Sequence, residues 1–165
     1  MNQKQEYPFS LDMFGLEAKV RGLYLTIACD FEKIMSDIIV KCEEPDGSKR
    51  EALRLKIAFE MGKKLKRCEQ ELLKYNSAYY NHFIPQFEAI KELLKYRNML
   101  AHGFSQYDPQ KIDKSFITFI WVEKGKERID NINVKPFIKN ILHFRDHISL
   151  FYTLHAKICE ERGND

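Results

Sequence analysis

Residues Phe83 to Gly103 read FIPQFEAIKELLKYRNMLAHG. The apolar residues Phe83, Phe87, Ile90 and Leu94 recur in steps of three and four, the spacing of one face of an α-helix. Pro85 lies early enough to be tolerated in a first turn or to kink the helix. Continued, the rhythm lands on Arg97 and Ala101, so a guanidinium sits on the face that should meet a core or a partner. A guanidinium keeps its charge, so there it needs a paired acid, a bound anion or a wet interface. Asn98 and His102 are four apart and share a neighbouring face. Gly103 suits the left-handed position that closes a helix, which places His102 in the last turn, where the helix dipole favours a cation.

Outward from this helix, the same periodicity predicts three more. The first runs from about Leu11 to Cys42 on the stripe Leu16, Val20, Leu23, Ile27, Phe31, Ile34 and Ile38. Asp30 falls within that stripe, as Arg97 does in its own, and an ion pair between the two would resolve both oddities; a solvated Asp30 at the stripe's edge is the alternative. Glu43 to Ser48 reads as a turn. The second helix, about Lys49 to Tyr75, carries Leu53, Ile57, Met61, Leu65, Cys68, Leu72 and Tyr75 on its stripe. Its other side holds Lys56, Lys63, Lys64, Lys66 and Arg67 among the acids Glu60, Glu69 and Glu71. That side is either a solvated mixed face or a surface that draws RNA, with Lys63, Lys64 and Arg67 as the contacts. Asn76-Ser77 breaks the pattern before the helix of the opening stretch, and Phe104 to Pro109 follows it as a linker.

The period then changes. Ser115 to Val122 is β-branched and aromatic, Glu123 to Lys126 is a turn, and Arg128 to Val134 returns as a more polar strand. A lone hairpin is marginal, so its apolar side must pack on helices or on another subunit. The last helix starts near Val134 or Lys135, with Asn133 as its cap and Pro136 in its first turn, and runs to about Glu161. Its stripe passes through Phe137, Ile141, Phe144, Ile148, Phe151 or Tyr152, His155 and Ile158. The expected architecture is all-α, a bundle of about four long helices with a β-hairpin inserted before the last, in one domain over 1–165.

Composition agrees with a folded domain. The chain has 165 residues, 44% of them hydrophobic, enough to bury a core. No apolar run approaches the roughly 20 residues of a membrane-spanning helix, and the polar start lacks the apolar segment of a secretory signal, so a cytoplasmic protein with no membrane contact is expected. The four cysteines, Cys29, Cys42, Cys68 and Cys159, form no Cys-x-x-Cys pair and read as reduced residues. A net charge of +3 permits nucleic-acid binding without arguing for it.

The stretch Tyr96 to Gly103 resembles the motif of the HEPN family (higher eukaryotes and prokaryotes nucleotide-binding), in which an Arg, usually followed by a polar residue, precedes a His by four to six residues. Arg97, Asn98 and His102 take those places. The resemblance implies a metal-independent endoribonuclease, built across a homodimer and set in a toxin–antitoxin, defence or RNA-processing system with RNA and an antitoxin or other protein as partners. It implies no cofactor. Such chemistry needs a base for the 2′-hydroxyl proton, cations for the phosphate and an acid for the leaving oxygen. His102 would be base or acid, since imidazole titrates near neutrality. Arg97 would hold the phosphate, Asn98 would orient His102 or hold a phosphate oxygen, and Asp30 would support Arg97. Arg97 and His102 point about 140° apart on a straight helix, so either the helix distorts or two chains complete the site. One subgroup carries a Tyr two residues after the His, where this chain has Phe104. The competing expectation is a non-catalytic dimeric module of the same fold that binds a protein or nucleotide. His143 and His147 have a metal-capable spacing without the Glu of a zinc-protease motif, and no metal site is expected. His155 reads as a core histidine.

Overall fold

A computed structural model describes residues 11–44, 49–57, 60–106 and 116–163. The lead-in 1–10 with Pro8, the turn residues 45–48, the linker residues 107–109, Ser115 and the last two residues lie outside the described residues. The chain is mostly helical, with a small antiparallel sheet before the last helix. In order it forms α1 (Leu11–Glu43), α2 (Arg50–Lys56), α3 (Met61–Tyr75), α4 (Ser77–Lys95), α5 (Arg97–His102), β1 (Phe104–Gln106), β2 (Phe116–Glu123), β3 (Lys126–Asn133) and α6 (Val134–Glu161).

The two longest helices, α1 and α6, pack on each other, and α3 and α4 complete the bundle around them. The periodic stripes supply the core. Val20, Ile27, Phe31, Ile34 and Ile38 of α1, Met61, Leu65, Cys68 and Leu72 of α3, and Ile141, Ile148, Phe151 and Ile158 of α6 are all buried. Phe151 sits at its centre. Its ring meets Phe31, Phe83 and Phe87 with centroids 6.0, 5.3 and 5.2 Å away, two of the three edge to face.

Four sequence expectations are corrected. The second predicted helix is two: α2 ends in extended backbone at Ile57, and α3 begins at Met61. The third is interrupted at Tyr96, whose N–H reaches back to the Leu93 carbonyl at 3.2 Å, the three-residue reach of a tightened turn. The hydroxyl of Tyr24 donates to the same carbonyl at 3.0 Å, and a side chain inserted into the helix ladder is a regular cause of such a break. The hairpin gains a third strand, since Phe104–Gln106, expected to be linker, pairs with β2 in the order β1-β2-β3. Asn76 caps α4 by accepting from the backbone of Ala78 and Tyr79, whereas Asn133 at the start of α6 makes no side-chain cap.

The sheet has two unlike faces. Ile117, Phe119 and Ile132 point into the core. On the other face Phe104, Ile120 and Ile129 lie side by side across the three strands, and Phe104 is 79% exposed.

Candidate functional site

α5 is a six-residue helix that carries the whole Arg-Asn-x3-His stretch. The break at Tyr96 shifts its phase. Met99 and Leu100 are buried, while Arg97, Ala101 and His102 face solvent. The expected burial of Arg97 on the apolar stripe is therefore overturned by the turn at Tyr96. Of the two readings of Asp30 the solvated one holds: Asp30 and Arg97 are both exposed, and no ion pair joins them. Arg97 is felt instead at the buried Tyr24 hydroxyl, through its charge. Burial pushes that phenol well above its ordinary range, and the Arg97 charge offsets part of the rise. Asn98 follows Arg97 directly in the helix.

The C-terminal end of α5 is held by residues that sequence periodicity did not single out. Arg21 of α1 donates one guanidinium nitrogen to the Leu100 carbonyl and another, at 2.6 Å, to the Gly103 carbonyl. These are carbonyls of a helix end, where a cation complements the dipole. The Nε of Arg21 donates to Glu17 at 2.7 Å, and its guanidinium lies over the Phe119 ring, 4.9 Å from the centroid. Glu17 also accepts from the Ser105 hydroxyl at 2.5 Å. Residues 100 to 105 are thus fastened to α1 by one Glu–Arg pair. The sequence signal is an acid and a base four apart beside the buried Val20 and Tyr24.

Gly103 is not in the left-handed conformation expected of it. Its φ of −71° and ψ of 146° are open to any residue. Glycine is required there by space: a Cβ would sit 2.4 Å from the Met99 carbonyl oxygen and 3.3 Å from that of Ile120.

The cations assigned to RNA divide. Lys63 is exposed and pairs with Glu60 at 2.9 Å. Lys64 is buried, with Glu32 at 3.8 Å. Arg67 makes two parallel bonds to Glu43, at 2.8 and 2.7 Å, which keep its guanidinium protonated still more firmly. Each has a carboxylate partner, so this side of α3 is a mixed rather than a purely cationic surface.

The His143 and His147 rings lie 4.9 Å apart on α6. Among the described residues no group of three metal-ligating side chains gathers there or elsewhere. Burial and the neighbouring His143 push the His147 imidazole down. His155 is half-buried with a ring nitrogen 3.6 Å from the Cys159 sulfur, and burial depresses its pKa as well. No described helix is long and apolar enough to cross a membrane.

The site therefore presents a cation and an imidazole on one short, clamped helix, both open to solvent. Such a pair can bind a phosphate and move a proton. Compared with protein-family models, curated proteins and solved structures, the chain matches none.

Proposed function

We propose that this chain is a metal-independent endoribonuclease of the HEPN type, acting as a toxin or as a component of defence or RNA processing. The observation that carries the reading is the exposure of both Arg97 and His102 on α5, a helix whose far end is tied down by Arg21. Arg97 holds the scissile phosphate through parallel hydrogen bonds. His102 takes the 2′-hydroxyl proton or protonates the departing 5′-oxygen, and Asn98 orients it or holds a phosphate oxygen. Because the two side chains point about 140° apart on one helix, the complete site forms where two copies bring their α5 helices together about a twofold axis.

The test is cleavage of a labelled RNA pool with chelator present. Wild type cleaves, and His102→Ala and Arg97→Ala each lose about 100-fold or more, the size of a general acid–base contribution. Mixing the two inactive variants restores part of the activity if one copy supplies Arg97 and the other His102. Equal cleavage by wild type and His102→Ala, or full activity from a strict monomer, overturns the reading.

One observation favours a second reading, a non-catalytic module that binds a protein. The outer face of the sheet begins at Phe104, two residues after His102, and carries exposed Val122 and Ile129 as well. An apolar face of this kind commonly marks an interaction surface. Association abolished by Phe104→Lys, in a protein that cleaves no RNA, would select this reading.

A further inference from the structure

At the other end of α1 lies a depression of about 770 Å³ between the C-terminal parts of α1 and α6 and the outer side of α3. Glu43 at its edge and Arg21 at the clamp are about 33 Å apart along the helix at 1.5 Å per residue, so it is a separate place from α5. Five cations line it: Lys63, Lys66, Arg67, Lys74 and Arg162. The acids facing it are Glu43 and Glu71. The excess is three positive charges, equal to the net +3 of the entire chain. Over the rest of the sequence, acids and bases balance.

Two of these cations are held in place before any ligand arrives. Arg67 is fixed by its bidentate contact with Glu43, which uses its Nε and Nη2 and leaves Nη1 free to donate. Arg162 lies over the Tyr75 ring, 4.5 Å from the centroid. Tyr75 is steadied in turn by donating its hydroxyl to Glu161 at 2.6 Å. Lys66 is exposed and has no hydrogen-bond or ion-pair partner among the described residues. Lys63 and Lys74 pair only with acids three residues away on the surface, contacts weak enough to exchange for a better anion. The depression is not a thiol site. Cys42 lines it, yet burial pushes that thiol up to about 12, so the surrounding cations do not make it a thiolate.

We propose that this depression binds the di- or triphosphate group of a small molecule. A single phosphate engages two or three donors, whereas five cations spread around one hollow match a short chain of phosphates with charge to spare. Arg162 supplies a guanidinium fork, Arg67 supplies the Nη1 donor that Glu43 leaves over, and the lysines supply mobile point charges. The group can come from inorganic polyphosphate or from a nucleoside triphosphate, and one face of the Tyr75 ring is already taken by Arg162.

Titration calorimetry of the full chain with inorganic tripolyphosphate, at about 0.15 M salt, tests this. One saturable site is expected. Lys66→Glu should weaken it about tenfold or more, while Lys56→Glu, which reverses an exposed cation outside the depression, should leave it unchanged. Arg162→Gln should weaken it too. A nucleoside triphosphate that binds no tighter than tripolyphosphate assigns the site to the phosphates alone; one that binds at least tenfold tighter assigns it to the nucleotide. The proposal is overturned if tripolyphosphate does not saturate. It is also overturned if Lys66→Glu and Lys56→Glu weaken binding equally, or if only RNA binds. RNA cleavage by α5 enters none of these readouts.

Discussion

Replacing Gly103 by alanine separates two accounts of why glycine stands there. The backbone at Gly103 has ordinary extended angles, so alanine meets no conformational penalty. Where space allows, a Gly→Ala change in such a backbone stabilises by about 0.4–1 kcal/mol, by restricting the unfolded chain. Here space does not allow it. The new Cβ would lie 2.4 Å from the Met99 oxygen, which also accepts the Gly103 N–H at 2.8 Å, and 3.3 Å from the Ile120 oxygen on β2. Both obstacles are backbone, so relief requires moving the end of α5 or the sheet. Overpacking of this kind costs about 1–3 kcal/mol. Set against the gain from restricting the unfolded chain, a net loss of about 1 kcal/mol lowers the melting temperature of a domain this size by about 2–4 °C. Thermal and urea unfolding of Gly103→Ala and Gly103→Asn measure it. A left-handed cap would accept asparagine better than alanine; the steric account makes asparagine no better. An alanine variant as stable as wild type, or an asparagine variant clearly better than alanine, refutes the steric reasoning.

Arg21→Met keeps most of the apolar stem but removes the donors to the Leu100 and Gly103 carbonyls, and should cost about 2 kcal/mol, within the range for hydrogen bonds from a charged group. Faster amide exchange at the end of α5 would accompany the loss, and unchanged exchange there would show that the clamp is not what holds the helix. His155 and His147 have folded pKa values below the ordinary 6.5, chiefly through burial. The unfolded chain therefore takes up their protons first. Stability should be constant above neutrality, fall as pH drops through about 6.5, and level off below the depressed folded values. A urea midpoint that is as steep between pH 7.5 and 5 in His155→Gln as in wild type would remove His155 from that dependence.

The helices were legible because their stripes obey one rule over many residues. The stripe on α1 predicts its span to within a residue at each end, and the α6 stripe does as well. What was not legible turns on single contacts between distant residues. The break at Tyr96 coincides with the Tyr24 hydroxyl, 69 positions from the carbonyl that both meet. Since α4 and α5 are both helical on either side, nothing in the local composition announces it. The same break carries Arg97 out of the stripe, and Asp30 stays solvated at the edge of its own. β1 looks like linker in the sequence because three residues are too few for alternation to register; it exists through its pairing with β2. The Arg-Asn-x3-His stretch itself was visible, but not the Glu17–Arg21 pair that holds it, since an acid and a base four apart on a helix usually denote an ordinary surface contact.

The sheet also bears on how copies of this chain could assemble. Among the described residues one margin, β1, is three residues long, and the other, β3, carries Lys126, Glu127, Arg128 and Asp130 within five residues. Short or heavily charged margins resist the strand-by-strand growth that leads to fibrils. The apolar surface lies on the broad side of the sheet instead, where a twofold pairing would cover it once and leave nothing exposed for a third molecule. Stickiness on the broad side with blunted margins permits a closed pair while denying an open-ended polymer.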